Sequence, residues 1–263
     1  MAQRRQHGAG FTLIELLLAM AVFLVICGAM FSLLELSQQR YSSEMQLSGS
    51  FQEARLAMDQ ITRDMNDAGS PTAGMFAKLP VSTSYAIGPV AWAPSYPTIP
   101  CAIGTSCSPT PGDFDLIIET TIGTTVSWIR YQLVGTTLYR GSVAKTNTDP
   151  VSATSAAGVM VPFLVNVMNN APTAAPTQYA QIVATYPTMF PGNKAVPIFQ
   201  YSCDSPTAVV LCNSPAAGAY NLALNIRDVD ITLIVATQFN DAQTQQIKLI
   251  ELNGRGHRLN PAN

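Results

Sequence analysis

The sequence predicts an α+β molecule, a long amino-terminal helix packed on an antiparallel β-sheet head, and three observations carry the prediction. Apolar residues run almost unbroken through positions 11–34. A helical spacing of apolar residues then continues to Ala68, with no proline anywhere in 11–70. Beyond Phe114 the apolar period changes from helical to two, in short runs divided by turn residues.

The first element, residues 11–34, has only Thr12, Glu15 and Ser32 as frankly polar positions. As a helix it is about 36 Å long, enough to cross a bilayer. Arg4 and Arg5 precede it, whereas Arg40 beyond it is accompanied by Glu35 and Glu44. The positive-inside bias therefore places residues 1–10 in the cytoplasm and the remainder across the membrane. Residues 1–10 read as a processing leader and stay outside the fold. Glu15 is the anomaly, because a carboxylate near the centre of a membrane helix costs about 2.5–3.5 kcal/mol and calls for a partner.

In the second element, residues 35–69, the positions Tyr41, Met45, Ser48, Phe51, Ala54, Met58, Ile61, Met65 and Ala68 follow one another at steps of three or four. They form one face of an amphipathic helix, opposite Glu53, Asp59, Arg63 and Asp67. Gly69 and Pro71 supply the stop. The two elements thus read as one helix of about 58 residues and roughly 87 Å, its outer stripe the seat of a head.

The head, residues 70–263, opens on a Pro-, Ser- and Thr-rich surface connection over 71–112, with one short strand near 81–87. A buried strand is expected at 114–121. Ile129, Tyr131 and Leu133 alternate with Arg130 and Gln132, and the turn Gly135-Thr136-Thr137 returns the chain as a hairpin through Leu138-Tyr139-Arg140. Further strands are expected at 159–167, 181–186 and 196–201. Val229, Ile231, Leu233 and Val235 alternate with polar residues, and 247–252 is their hairpin partner across Asn240-Asp241. Helix first and strands after predicts an antiparallel sheet folded on the outer half of the helix.

Charged residues make up 11% of the chain and the formal net charge is −2, well under the roughly 25% charge of soluble domains. Loss of Arg4 and Arg5 with the leader would take the net charge to −4. No basic patch calls for nucleic acid; Arg255, His257 and Arg258 read as a solvated Gly-rich tail. Of five cysteines, Cys27 lies in the apolar run and Cys101, Cys107, Cys203 and Cys212 in the exported part. Three connectivities exist, the sequence-local pairs Cys101 with Cys107 and Cys203 with Cys212 being preferred. A metal site competes poorly, since the spacings are not Cys-x-x-Cys and His257 is the single exported histidine.

His7 falls in the leader, so no nucleophile and base pair is legible and no catalysis, cofactor or metal is expected. Asp228 and Asp230 read as a solvated strand face. Asp113, Asp115 and Asp204 lie in loops and are the positions a calcium site would use.

The stretch Gly10-Phe11-Thr12-Leu13-Ile14-Glu15-Leu16, behind its short basic leader, resembles the cleavage and methylation signal of type IV prepilins and type II secretion pseudopilins. The resemblance implies a type IV pilin-like fold, cleavage after Gly10 by the prepilin peptidase, and N-methylation of Phe11. It also implies that Glu15 pairs with the Phe11 amine of a neighbouring subunit during assembly. The physical reading agrees: a cleaved chain carries an amine four residues from an acid on one helix face, each costly alone in lipid and tolerable as a pair. The implied partners are other pilin or pseudopilin subunits, the peptidase and the inner membrane before filament entry.

Arg63, Asp64 and Gly69, with Tyr131-Gln132-Leu133 followed by Leu138-Tyr139-Arg140, resemble the PilW/PulJ-type minor pilins. The long, loop-rich head favours a PilW-like minor pilin of a type IV pilus over a J-type pseudopilin. Two departures from major pilins point the same way: the membrane half has no proline, and strands follow the last cysteine pair. The rival reading is an anchored adhesin or DNA-uptake head that never polymerises.

Overall fold

The computed structural model describes residues 12–69, 90–92, 101–123, 125–146, 149–174, 177–206, 208–241 and 244–259. Helix α1, Leu13–Asn66, is continuous over 54 residues. It starts on a capping box in which the Thr12 side chain accepts from the Glu15 amide and the Glu15 side chain reaches back to the Thr12 amide. At its far end the chain turns at Gly69, whose φ of 79° suits a residue without Cβ. The Gly69 amide donates to Glu119 O at 2.8 Å and Thr120 Oγ1 donates to Asp67 O at 3.0 Å. The helix end is thereby sewn to the first strand of the head.

That head holds two sheets where the sequence reads as one. The first has the order β1 (Asp115–Ile122), β2 (Thr125–Val134), β3 (Thr137–Ala144), β4 (Met160–Leu164), every neighbour antiparallel. The second contains β5 (Phe199–Asp204), β6 (Val209–Leu211), β7 (Ile226–Ala236) and β8 (Leu249–His257) in the order β6-β5-β7-β8, again antiparallel. The short helix α2 (Pro150–Thr154) falls between β3 and β4, and α3 (Ala171–Ala174) and α4 (Ala180–Thr185) lie between the two sheets in sequence. The sheets are joined where the chain after β4 pairs with the end of β7: Met168 N donates to Ile234 O and Ala236 N to Asn166 O. Buried Asn169 completes the seam, its Nδ2 donating to Val196 O and Thr232 O while its Oδ1 accepts from Ile234 N.

Against this seam the strand expected at 181–186 is replaced by helix α4, with Tyr186 as its C-cap. Tyr179, Ile182, Val183 and Tyr186 sit at i, i+3, i+4 and i+7, and that one face packs on a small core with Phe190, Ile234 and Leu249. The strand expected at 196–201 begins at Phe199 instead. The strand expected at 81–87 falls outside the described residues. The connection expected on the surface is buried at Val90, Ala91 and Trp92, where Ala91 N donates to Ile117 O, and exposed at Gly104, Thr105, Ser106, Ser108 and Pro109.

The expected Gly-rich tail is also corrected, because β8 runs through it to His257. Ile250, Leu252, Gly254 and Gly256 alternate with the exposed Glu251, Asn253 and Arg255. A Cβ on Gly256 would lie 2.5 Å from Met65 Cβ, and one on Gly254 would lie 2.5 Å from Met58 Sδ. Glycine here lets a strand and a helix backbone come together, and its missing side chains hide the strand period from the sequence.

The main core gathers Ala54, Ala57, Met58, Ile61 and Met65 of α1 with both sheets. The stripe above it is uncovered: Tyr41 is 67% exposed, Met45 56% and Phe51 40%. The seat of the head is therefore shorter than the periodic stripe, since periodicity records an apolar face without saying what covers it.

Candidate assembly site and the clamp behind it

Within α1 the Glu15 carboxylate accepts from Thr12 N and Thr12 Oγ1, both at 2.9 Å. These donors satisfy one oxygen and leave the negative charge, so a cation is still required if the group enters lipid. Gly10 and Phe11, the expected cleavage pair, lie outside the described residues. From Leu13 onward the helix is long and apolar enough to cross a membrane and none of its most apolar window is buried. Its polar exception Ser32 donates to Gly28 O at 3.1 Å, which keeps the hydroxyl satisfied inside the helix. Cys27 is a free, partly exposed thiol.

Beside the apolar core, three polar clamps hold the head on the second half of α1. In the central one, Tyr131 Oη donates to Asp64 Oδ2 at 2.5 Å, and Arg140 donates to the same oxygen through Nε (3.1 Å) and Nη2 (2.8 Å). Arg140 Nε also reaches Tyr131 Oη at 2.9 Å. Burial and the Asp64 charge push the Tyr131 hydroxyl well above its ordinary pKa, so it remains a donor. The residues that resemble the PilW/PulJ pattern at three separate places in the sequence, Asp64, Tyr131 and Arg140, thus meet at one point.

Nearer the membrane run, Ser43 Oγ donates to Asp241 Oδ2 at 2.5 Å, and Lys248 Nζ pairs with the same Asp241 oxygen at 2.7 Å and donates to Ser43 Oγ at 2.9 Å. At the far end the His257 amide donates to Asn66 Oδ1 at 3.0 Å. Sequence reading missed all three clamps. Asp64 carried a signal, standing beside Ile61 and Met65 on the buried side of the helix; Ser43 and Asn66 carried none.

The remaining acids are placed differently from the sequence reading. Asp228 is buried with its carboxylate on His257 Nδ1, and Asp230 pairs with Arg255 at 2.5 Å. Arg258 is mostly buried, pairing with Asp204, which also meets Arg227. Asp115 is held by Arg130 through Nε (2.9 Å) and Nη2 (2.6 Å), while burial pushes its carboxyl above the ordinary range against that cation. Asp115 and Asp204 are therefore engaged by arginine, and among the described residues no three His, Cys, Asp or Glu gather as metal ligands. Disulfides join Cys101 to Cys107 and Cys203 to Cys212. The loop of the first is pinned to the chain after the second by Ile103 N donating to Asn221 O at 2.8 Å.

Residues 5–31 match the family model of the prokaryotic N-terminal methylation motif. No curated protein and no solved structure matches the chain. The protein is membrane-anchored through this segment and sets an α+β, pilin-like arrangement behind it; over residues 5–31 it carries the hallmark of the type IV prepilin- and pseudopilin-like proteins.

Proposed function

We propose that this protein is a PilW-like minor pilin, cleaved between Gly10 and Phe11, methylated at Phe11 and built into a type IV pilus at its initiating end or tip. One observation carries the reading: no residue in the apolar half of α1, Glu15 included, is buried by the described residues of its own head. Lipid can cover the apolar side chains, but it offers nothing to the Glu15 charge. A neighbouring subunit with a free Phe11 amine offers both apolar cover and a cation, so burial of the helix and pairing of the charge occur together. The head works by association, not catalysis. The Asp64, Tyr131 and Arg140 clamp supports the minor-pilin reading, because it unites one residue from each of the three stretches that resemble the PilW/PulJ pattern.

Glu15→Ala in the producing cell tests this. The variant is expected to accumulate in the inner membrane at the parental level while its amount in sheared pili falls by about tenfold or more, the factor that 1.4 kcal/mol commands. Undiminished entry into pili would overturn the role of Glu15. A secretion defect with normal pili would move the protein to the J-type pseudopilins, and full surface display and binding without any filament would favour the anchored adhesin.

A further inference from the structure

We infer that the head rests on the lipid surface through the bend 237–241, which opens the connection from β7 to β8 and presents Phe239 to the headgroup layer. Strand β8 lies along α1 with His257 at the level of Asn66 and its other end, next to Lys248, at the level of Ser43. The β7–β8 connection is therefore the end of the head that points down α1 toward the apolar run. Both feet of the bend are fixed at that level. Thr237 N donates to Lys248 O at 2.9 Å, and Asp241 is held by Ser43 and Lys248. Between them Thr237 Oγ1 donates to Phe239 O at 3.1 Å, and the Phe239 side chain at the tip is 60% exposed.

The distances suit a lipid surface. From Leu34 to Ser43 the helix axis rises about 14 Å, and a headgroup layer takes up roughly 5–8 Å of that. Phe239, next but one to Asp241, can lie up to about 7 Å nearer the membrane, and a helix tilt of about 20° lowers one side of the head further. Exposed Tyr41 occupies the same zone of α1, where aromatic rings collect. Composition is the second argument. The stretches 177–190 and 237–247 meet at this end, where Tyr186 Oη donates to Ile247 O, and contain one charged residue, Asp241, already paired with Lys248. What they expose is amide: Gln178, Gln181, Asn240, Gln245 and Gln246. The ion pairs Asp230 with Arg255, and Asp204 with Arg227 and Arg258, lie toward the His257 end of β7 and β8. An amide surface with one protruding ring enters the headgroup layer without stripping water from a charge. The inference rests on α1 spanning the membrane and not on its entry into a filament.

The test uses the full chain in phosphatidylcholine vesicles and the fluorescence of Phe239→Trp, with Val209→Trp as the control. Val209 is exposed on β6 and pairs with Asp204, at the end of the head away from Ser43. Trp92 and Trp128 are sealed in the core, so the parent supplies a constant background. Lipids brominated in the upper acyl chain are expected to quench Phe239→Trp at least about threefold more than Val209→Trp. The quenching should persist in about 0.5 M salt, since apolar insertion is not screened. Asn240→Trp, at the neighbouring exposed position, is read alongside, and parental thermal unfolding qualifies each variant. Equal quenching at Phe239→Trp and Val209→Trp, or none at either bend position, would overturn the lipid contact, and loss in salt would overturn its apolar basis. Absence of quenching with a cross-link from a photoreactive residue at Phe239 to a second protein would assign the bend to a protein instead. Selective quenching in a chain that keeps residues 1–10 would sustain this inference while the pilin reading fell.

Discussion

Asp64 sits between Ile61 and Met65, both sealed from water, so its charge has to be answered inside the head. Tyr131 and Arg140 do so from adjacent strands, and the guanidinium also lies 5.7 Å from the Tyr131 ring centre. Removing one partner of a buried pair strands the other. Asp64→Ala should therefore cost about 3 kcal/mol, the low end for such losses because Arg140 keeps some solvent, and Tyr131→Phe about 1 kcal/mol. Urea unfolding of the detergent-solubilised chain measures both, and equal, small effects would contradict the clamp. Asp113 behaves in the opposite sense. Its carboxyl is raised in the fold, so the folded state holds that proton more tightly than the unfolded chain, and ionising it destabilises. The penalty is absent below the ordinary Asp value near 3.9 and complete above the raised one. Asp113→Asn should unfold at a higher temperature than the parent at neutral pH, and the gap should close as pH falls toward about 3.9.

At the scale of elements, β8 decides how the head meets α1. It runs alongside the helix from Leu249, next to the Lys248 that meets Ser43, to His257, beside Asn66. Gly256→Ala would press on Met65 Cβ and Cγ, atoms that cannot retreat, and should cost about 1–3 kcal/mol. Gly254→Ala meets the thioether of Met58, which can swing aside, and should cost less; the reverse order in urea unfolding would contradict this packing. The same strand shows what the sequence could tell. The period of two is plain in β7, where large residues fill the inward positions, and it vanishes in β8 because the helix occupies the space that side chains would take. Helix α4 was legible in hindsight from the spacing of Tyr179, Ile182, Val183 and Tyr186, but a six-residue apolar run does not separate helix from strand without its flanks. The β2–β3 hairpin and the continuity of α1 were readable throughout, since Gly135 and the absence of proline act locally. The buried pairs Arg130 with Asp115 and Lys145 with Glu119 were not, because they join residues whose contact exists only after strands pair.

For the whole molecule, the division of labour along α1 follows from what covers it. Its end near Asn66 is clamped and packed, its middle exposes Tyr41, Met45 and Phe51, and its start is an apolar rod with one acid. The head thus grips the helix without reaching the surface that the methylation motif marks. The methylation motif over residues 5–31 was legible in the sequence, because residue type and order carry it; the roles of Gly10, Phe11 and Glu15 within it belong to the proposal. The clamps depend on which strands lie side by side, and were not. The most direct test of the account is the intact mass of the membrane-extracted protein, produced with and without prepilin peptidase. The account predicts a chain that begins at Phe11 and carries one added methyl group only when the peptidase is present. A chain that keeps residues 1–10 in its presence would contradict it, and would leave Glu15 without a partner.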